Sequence, residues 1–82
     1  MRPELYQQVA LRRDFDEHRL KVGDVATLVD RVPHPSGGED GAVLEVFNAV
    51  GESIAVVAVP ESAVGSLRED EVLAIRKLAG AS

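Results

Sequence analysis

The sequence predicts a small all-β domain of five short strands, and three observations predict it. Apolar residues recur mostly at every second position, the spacing of a strand with two faces. The segments that show this spacing are rich in β-branched side chains, which favour strand over helix. Proline and glycine break the chain at short intervals between them. At 82 residues with 45% apolar side chains, the chain is a single globular domain over residues 1–82. A chain of this size buries about 60% of its unfolded surface, enough for one modest core.

The first strand is expected within residues 5–11 (LYQQVAL), followed by a long, charged and exposed loop over residues 12–22. Residues 23–32 (GDVATLVDRV) place Val25, Thr27 and Val29 on one face, with Ala26 and Leu28 opposite. Pro33-His34-Pro35-Ser36-Gly37-Gly38 is a loop, because proline lacks the N–H donor and paired glycines favour a turn. Residues 41–48 (GAVLEVFN) alternate Ala42, Leu44 and Val46 against Val43, Glu45 and Phe47. Residues 48–52 are short enough for a hairpin, with Gly51 able to take positive φ. Residues 53–59 (SIAVVAV) are apolar on both faces, the pattern of a central strand or one covered by a partner. Pro60 then suits the first position of one short helical turn, through Val64. Residues 72–78 (VLAIRKL) are expected to form the last strand. A helix over residues 68–78 is the competing assignment, since Glu69, Asp70 and Glu71 would suit its start and Arg76 and Lys77 its end.

Five strands with a long first loop, hairpins and a one-turn helix before the last strand describe a small five-stranded SH3-like barrel. Closing the sheet would remove the exposed edges that endanger a short all-β protein. Residues 20–29 (LKVGDVATLV), Glu45-Val46-Phe47, residues 51–57 (GESIAVV) and Ser62-Ala63-Val64 before Leu67 carry a family resemblance. Together with Val9-Ala10-Leu11 and Asp14, they resemble the small bacterial family catalogued as domain of unknown function 4926. The resemblance spans residues 5–67, and the insertion over residues 33–41 is longer than that family's pattern. It implies an SH3-like barrel and no established activity.

Charge and composition narrow the function. The net charge is −5, and residues 32–67 hold five carboxylates and no lysine or arginine. A phosphate backbone is bound by cations that release its counterions, so nucleic acid is not expected as a partner, nor an anionic membrane. There is no cysteine, which excludes disulfides and thiolate metal sites. The longest apolar run, six residues from Ile54, is far short of the ~18 a membrane helix needs. Met1-Arg2-Pro3-Glu4 leads into no apolar signal core, so the expected location is cytoplasmic.

No catalytic chemistry is expected. Asp14, Asp16, Glu17 and His18 could offer metal ligands, but no motif fixes their geometry, and Arg12, Arg13 and Arg19 neutralise them as a solvated loop. Ser36, Ser53, Ser62 and Ser66 lie in no nucleophile pattern, and activation needs a positioned base. Ser36-Gly37-Gly38 could cradle an anion, but Glu39 and Asp40 follow at once and would repel it. A proline-rich ligand wants several aromatics, and only Tyr6, Phe15 and Phe47 are present, with Phe47 expected in the core. No cofactor, metal or small-molecule substrate is therefore assigned.

What remains is residues 54–59, where Ile54-Val56-Ala58 or Ala55-Val57-Val59 must look outward. The expected core is Val25, Leu28, Val29, Leu44, Val46, Ile54 and Val56. The partner-contact candidates are accordingly Ala55, Val57 and Val59, with the acidic Glu39 and Asp40 and with Phe15, which is either an anchor of the first loop or an exposed contact. The expected role is a non-catalytic protein-interaction module. It would act as a homo-oligomer or as the small acidic partner, antitoxin or immunity-like, of another bacterial protein. The alternative is an accessory subunit or domain of an enzyme complex.

Overall fold

A computed structural model describes residues 3–78. Five strands form one antiparallel sheet: β1 (Gln8–Leu11), β2 (Val25–Val32), β3 (Gly41–Phe47), β4 (Ser53–Pro60) and β5 (Val64–Ser66). Their order is β4-β3-β2-β1-β5. Two short 3-10 turns interrupt the connections, Asp16–His18 in the first loop and Glu61–Ala63 between β4 and β5. The second is the one-turn helix that Pro60 foretells, with Pro60 at its N-cap. Among the described residues no helix is long and apolar enough to cross a membrane.

The sheet is not closed. β4 pairs with β3 alone and β5 with β1 alone among the described residues, so these two strands are its edges. The last strand is also not where alternation places it. Residues 72–78 form neither strand nor helix, and Val64-Gly65-Ser66 takes the fifth position instead. The three-residue β5 is held by its ladder to β1, with Ala10 opposite Gly65. A Cβ at Gly65 would lie 2.3 Å from Nε of Arg12, so a side chain there would displace the guanidinium. Arg12 crosses β5 at this point and donates to the Ser66 carbonyl at 2.8 Å.

The core is the inward row of each strand: Val9 and Leu11, Ala26 and Leu28, Ala42, Leu44 and Val46, then Val57 and Val59. Ala63 seals it from the 3-10 turn, and Phe15 and Leu20 reach in from the first loop, where their backbones form an isolated bridge. The loop is therefore less exposed than its charge suggests. In β2 the buried side is Ala26 and Leu28, while Val25 and Val29 are only half-buried. A register shift between Leu28 and Asp30 then turns Arg31 to the side of its partner Ala42. Its guanidinium sits at the end of the core, where Nη2 donates to the Pro3 carbonyl and the buried Nε lies 3.6 Å from Glu61 as an ion pair without a hydrogen bond among the described residues.

Candidate interaction surface

The two faces of β4 differ in what covers them. Val57 lies opposite Leu44 and Val59 opposite Ala42, and all four are buried. Ala55, opposite Val46, is half-buried against the same core. Side chains alternate along a strand, so Ile54, Val56 and Ala58 look outward. Val56 is 62% exposed and Ile54 45%. The expected core positions Ile54 and Val56 are thus corrected to the surface, and Ala55, Val57 and Val59 to the interior.

The outward row continues across the hairpin. Val56 pairs with Glu45, Ala58 with Val43, and Phe47, expected inside, is partly exposed at the Ser53 end. Phe47 keeps the row of Val43 and Glu45, and a register shift beside it sets Ser53 opposite Phe47. The turn that follows is built by Asn48. Its side-chain oxygen accepts from the Val50 and Glu52 N–H groups at 3.1 and 2.9 Å, and its amide donates to Glu52 at 2.8 Å. Gly51 closes the turn at φ 87°, as its place in the sequence requires. This leaves Val50 almost fully in solvent beside Phe47 and Ile54 in sequence.

The electrostatics of this surface are negative. Glu45 accepts from the Ser53 hydroxyl at 2.7 Å and Glu52 from the Asn48 amide, both neutral donors. Neither carboxylate is in an ion pair among the described residues. An apolar row bordered by two uncompensated carboxylates can receive apolar side chains with a cation at their margin.

The other candidates have structural work. Phe15 is buried, with the Arg13 guanidinium 5.1 Å from its ring centroid and His18 tilted beside it. Glu39 accepts from the Ser62 N–H and hydroxyl, both at 3.0 Å, tying the loop after β2 to the second 3-10 turn. The Asp40 carbonyl accepts from Glu61 N–H at 3.0 Å in the same junction. In the first loop, Asp14 accepts from Val22 N–H at 2.8 Å and Asp16 pairs with Lys21 at 3.4 Å. No group of three or more His, Asp or Glu among the described residues is placed to hold a metal ion. His34 Nδ1 accepts from the Ser36 backbone N–H, not from its hydroxyl.

One feature was not legible in the sequence. After β5 the chain runs back along the first loop, tied at two points. Arg12 meets Glu71 at 3.4 Å, and Arg76 donates through Nε to Asp24 at 2.8 Å and through Nη2 to the Arg19 carbonyl at 3.1 Å. A second hydrogen bond joins Arg76 to the other oxygen of Asp24. Burial pushes the Asp24 carboxyl upward. Hydrogen bonds from Arg76 and Lys21 N–H, with both cationic charges, outweigh that and hold it below its ordinary 3.8. Between the two ties, Val72 and Ile75 are 91% and 90% exposed. These contacts join residues more than fifty positions apart, and nothing in local spacing announces them. No family model, curated protein or solved structure matches the chain at the level required of a relative.

Proposed function

We propose that this chain is a non-catalytic protein-interaction module with an SH3-like arrangement of strands, docking through the outward face of β3 and β4. The observation that carries the reading is the exposed apolar row of Ile54, Val56 and Ala58 beside Glu45 and Glu52. Contiguous exposed apolar surface marks protein contacts more often than it serves a solitary domain. The acidic border selects a partner with lysine or arginine at the matching margin. That partner is a second copy of the chain, or another bacterial protein whose basic site is covered in the manner of an antitoxin or immunity protein. The SH3-like assignment is supported by the strand order, the long first loop and the 3-10 turn before β5, and by the family resemblance over residues 5–67.

Affinity capture from the native host, using the tagged chain and its Val56→Asp variant, tests the reading. The module reading requires a protein recovered with the unmodified chain and lost with the variant. Recovery of nothing, including no second copy, overturns it.

A further inference from the structure

The protein carries both an unpaired sheet edge and an unpaired strand-like segment. β4 is eight residues long and, among the described residues, pairs on one side only. It contains no lysine, and no proline before Pro60, so it lacks two common devices that protect an edge from another strand. Residues 71–77 (EVLAIRK) have the β-branched, apolar composition of a strand, yet join no sheet in their own chain. Ties at Glu71 and Arg76 hold that segment at both ends, and Val72 and Ile75 between them face solvent almost completely.

We infer that residues 71–77 of one copy add as an extra strand to the free edge of β4 in a second copy. The exchange is reciprocal, because each copy holds one such segment and one such edge. A two-fold dimer satisfies both at once. The segment needs no ordering from a free chain, since its two ties already fix its ends, and prior ordering lowers the entropic cost of association.

Charge sets the direction. Glu45 and Glu52 border the Ser53 end of β4, and residues 32–67 hold no cation to balance them. An antiparallel strand places Lys77 at that end. A parallel one would place Glu69, Asp70 and Glu71 there, against like charge. The antiparallel arrangement is the one the sequence supports.

This inference rests on the reading of β4 as a docking element and narrows it to self-association. Sedimentation equilibrium of the full chain tests it, together with zero-length carbodiimide coupling in an equal mixture of isotopically light and heavy protein. The only lysines are Lys21 and Lys77, so the products are few. The expected result is a monomer–dimer equilibrium with light–heavy crosslinks from Lys77 to Glu45 or Glu52. Val72→Asp and Ile75→Asp, at solvent-exposed positions, should keep the far-ultraviolet spectrum and weaken dimerisation at least tenfold. A monomer up to millimolar concentration overturns the inference, as does a dimer that survives both substitutions or lacks the Lys77 crosslinks. Should the chain be monomeric while Val56→Asp still abolishes capture of another protein, strand exchange fails and the docking reading stands. Should Val56→Asp change nothing as well, both fail.

Discussion

Val56 and Glu45 face each other across β3 and β4 on the outward side of the sheet, one position from the buried pair Val57 and Leu44. A single step along β4 therefore separates a core side chain from an apolar one in solvent. The same strand builds the interior with one face and offers a surface with the other. The acid opposite Val56 gives that surface its sign.

Truncation should separate the two faces. Leu44→Ala or Leu28→Ala removes a side chain that is at most 2% exposed and should cost about 2–5 kcal/mol. Set against a total stability of about 5–15 kcal/mol, that is a large fraction. Val56→Ala and Ile54→Ala should each stay within about 0.5 kcal/mol of the unmodified chain. Urea unfolding followed by circular dichroism measures both sets.

Charge placement is the sharper version of that contrast. Val57→Asp buries a carboxylate with no partner and should leave the chain largely unfolded. Val56→Asp should leave it folded, with an unchanged spectrum. An unfolded Val56→Asp would show that the in-and-out phase of β4 is the reverse of the one described.

Gly65→Ala should act through Arg12. The added methyl would occupy the space of the guanidinium, 2.3 Å from Nε, and displace it from the Ser66 carbonyl and Glu71. A loss of about 1 kcal/mol is expected, the usual net value of such a bond. The same substitution in an Arg12→Ala background should cost clearly less, and thermal melts of the four proteins form the double-mutant cycle that measures the coupling.

Acid should dissolve the tie between the C-terminal segment and the first loop. The folded-state pKa of Asp24 lies below its ordinary 3.8, so the stability that its ionised form contributes is complete above that value. It is lost as the pH falls through the lowered value. Arg76→Ala should cost about 0.2–1 kcal/mol at neutral pH, as expected of a partly exposed pair. The difference in Tm between that variant and the unmodified chain should shrink toward zero in acid below this window. A difference that grows as the pH falls would reverse the assigned sign.

The strands β2, β3 and β4 were legible because branched apolar residues alternate there between clear turn signals. Which face of β4 turns inward was not legible. Period-two spacing divides a strand into two rows without ranking them, and both rows of residues 54–59 are apolar. Pairing with Leu44 and Ala42 makes that choice, and such pairing is non-local. The same holds for β5, whose Gly65 and Ser66 have little strand preference and are held by β1 and by the passage of Arg12. Residues 72–78 are the converse, with strand composition and no strand pairing among the described residues. Phe15 stayed open between loop anchor and exposed contact because seven of the eight residues from Arg12 to Arg19 are charged or histidine, and its burial settles it as the anchor. Phe47 was misread because its aromatic character was set above the alternation, which already places it with Val43 and Glu45 on the row opposite Leu44 and Val46.

The central claim is that the outward row of β4 is a docking surface, and quantitative capture tests it most directly. The tagged chain and its Val56→Asp variant, matched for fold by circular dichroism, are used to recover bound protein from the native host. Removing one valine from an interface and placing a charge there is worth at least about 1.5 kcal/mol. Recovery of the partner, whether a second copy or another protein, should therefore fall about tenfold or more. Equal recovery with both proteins would contradict the account.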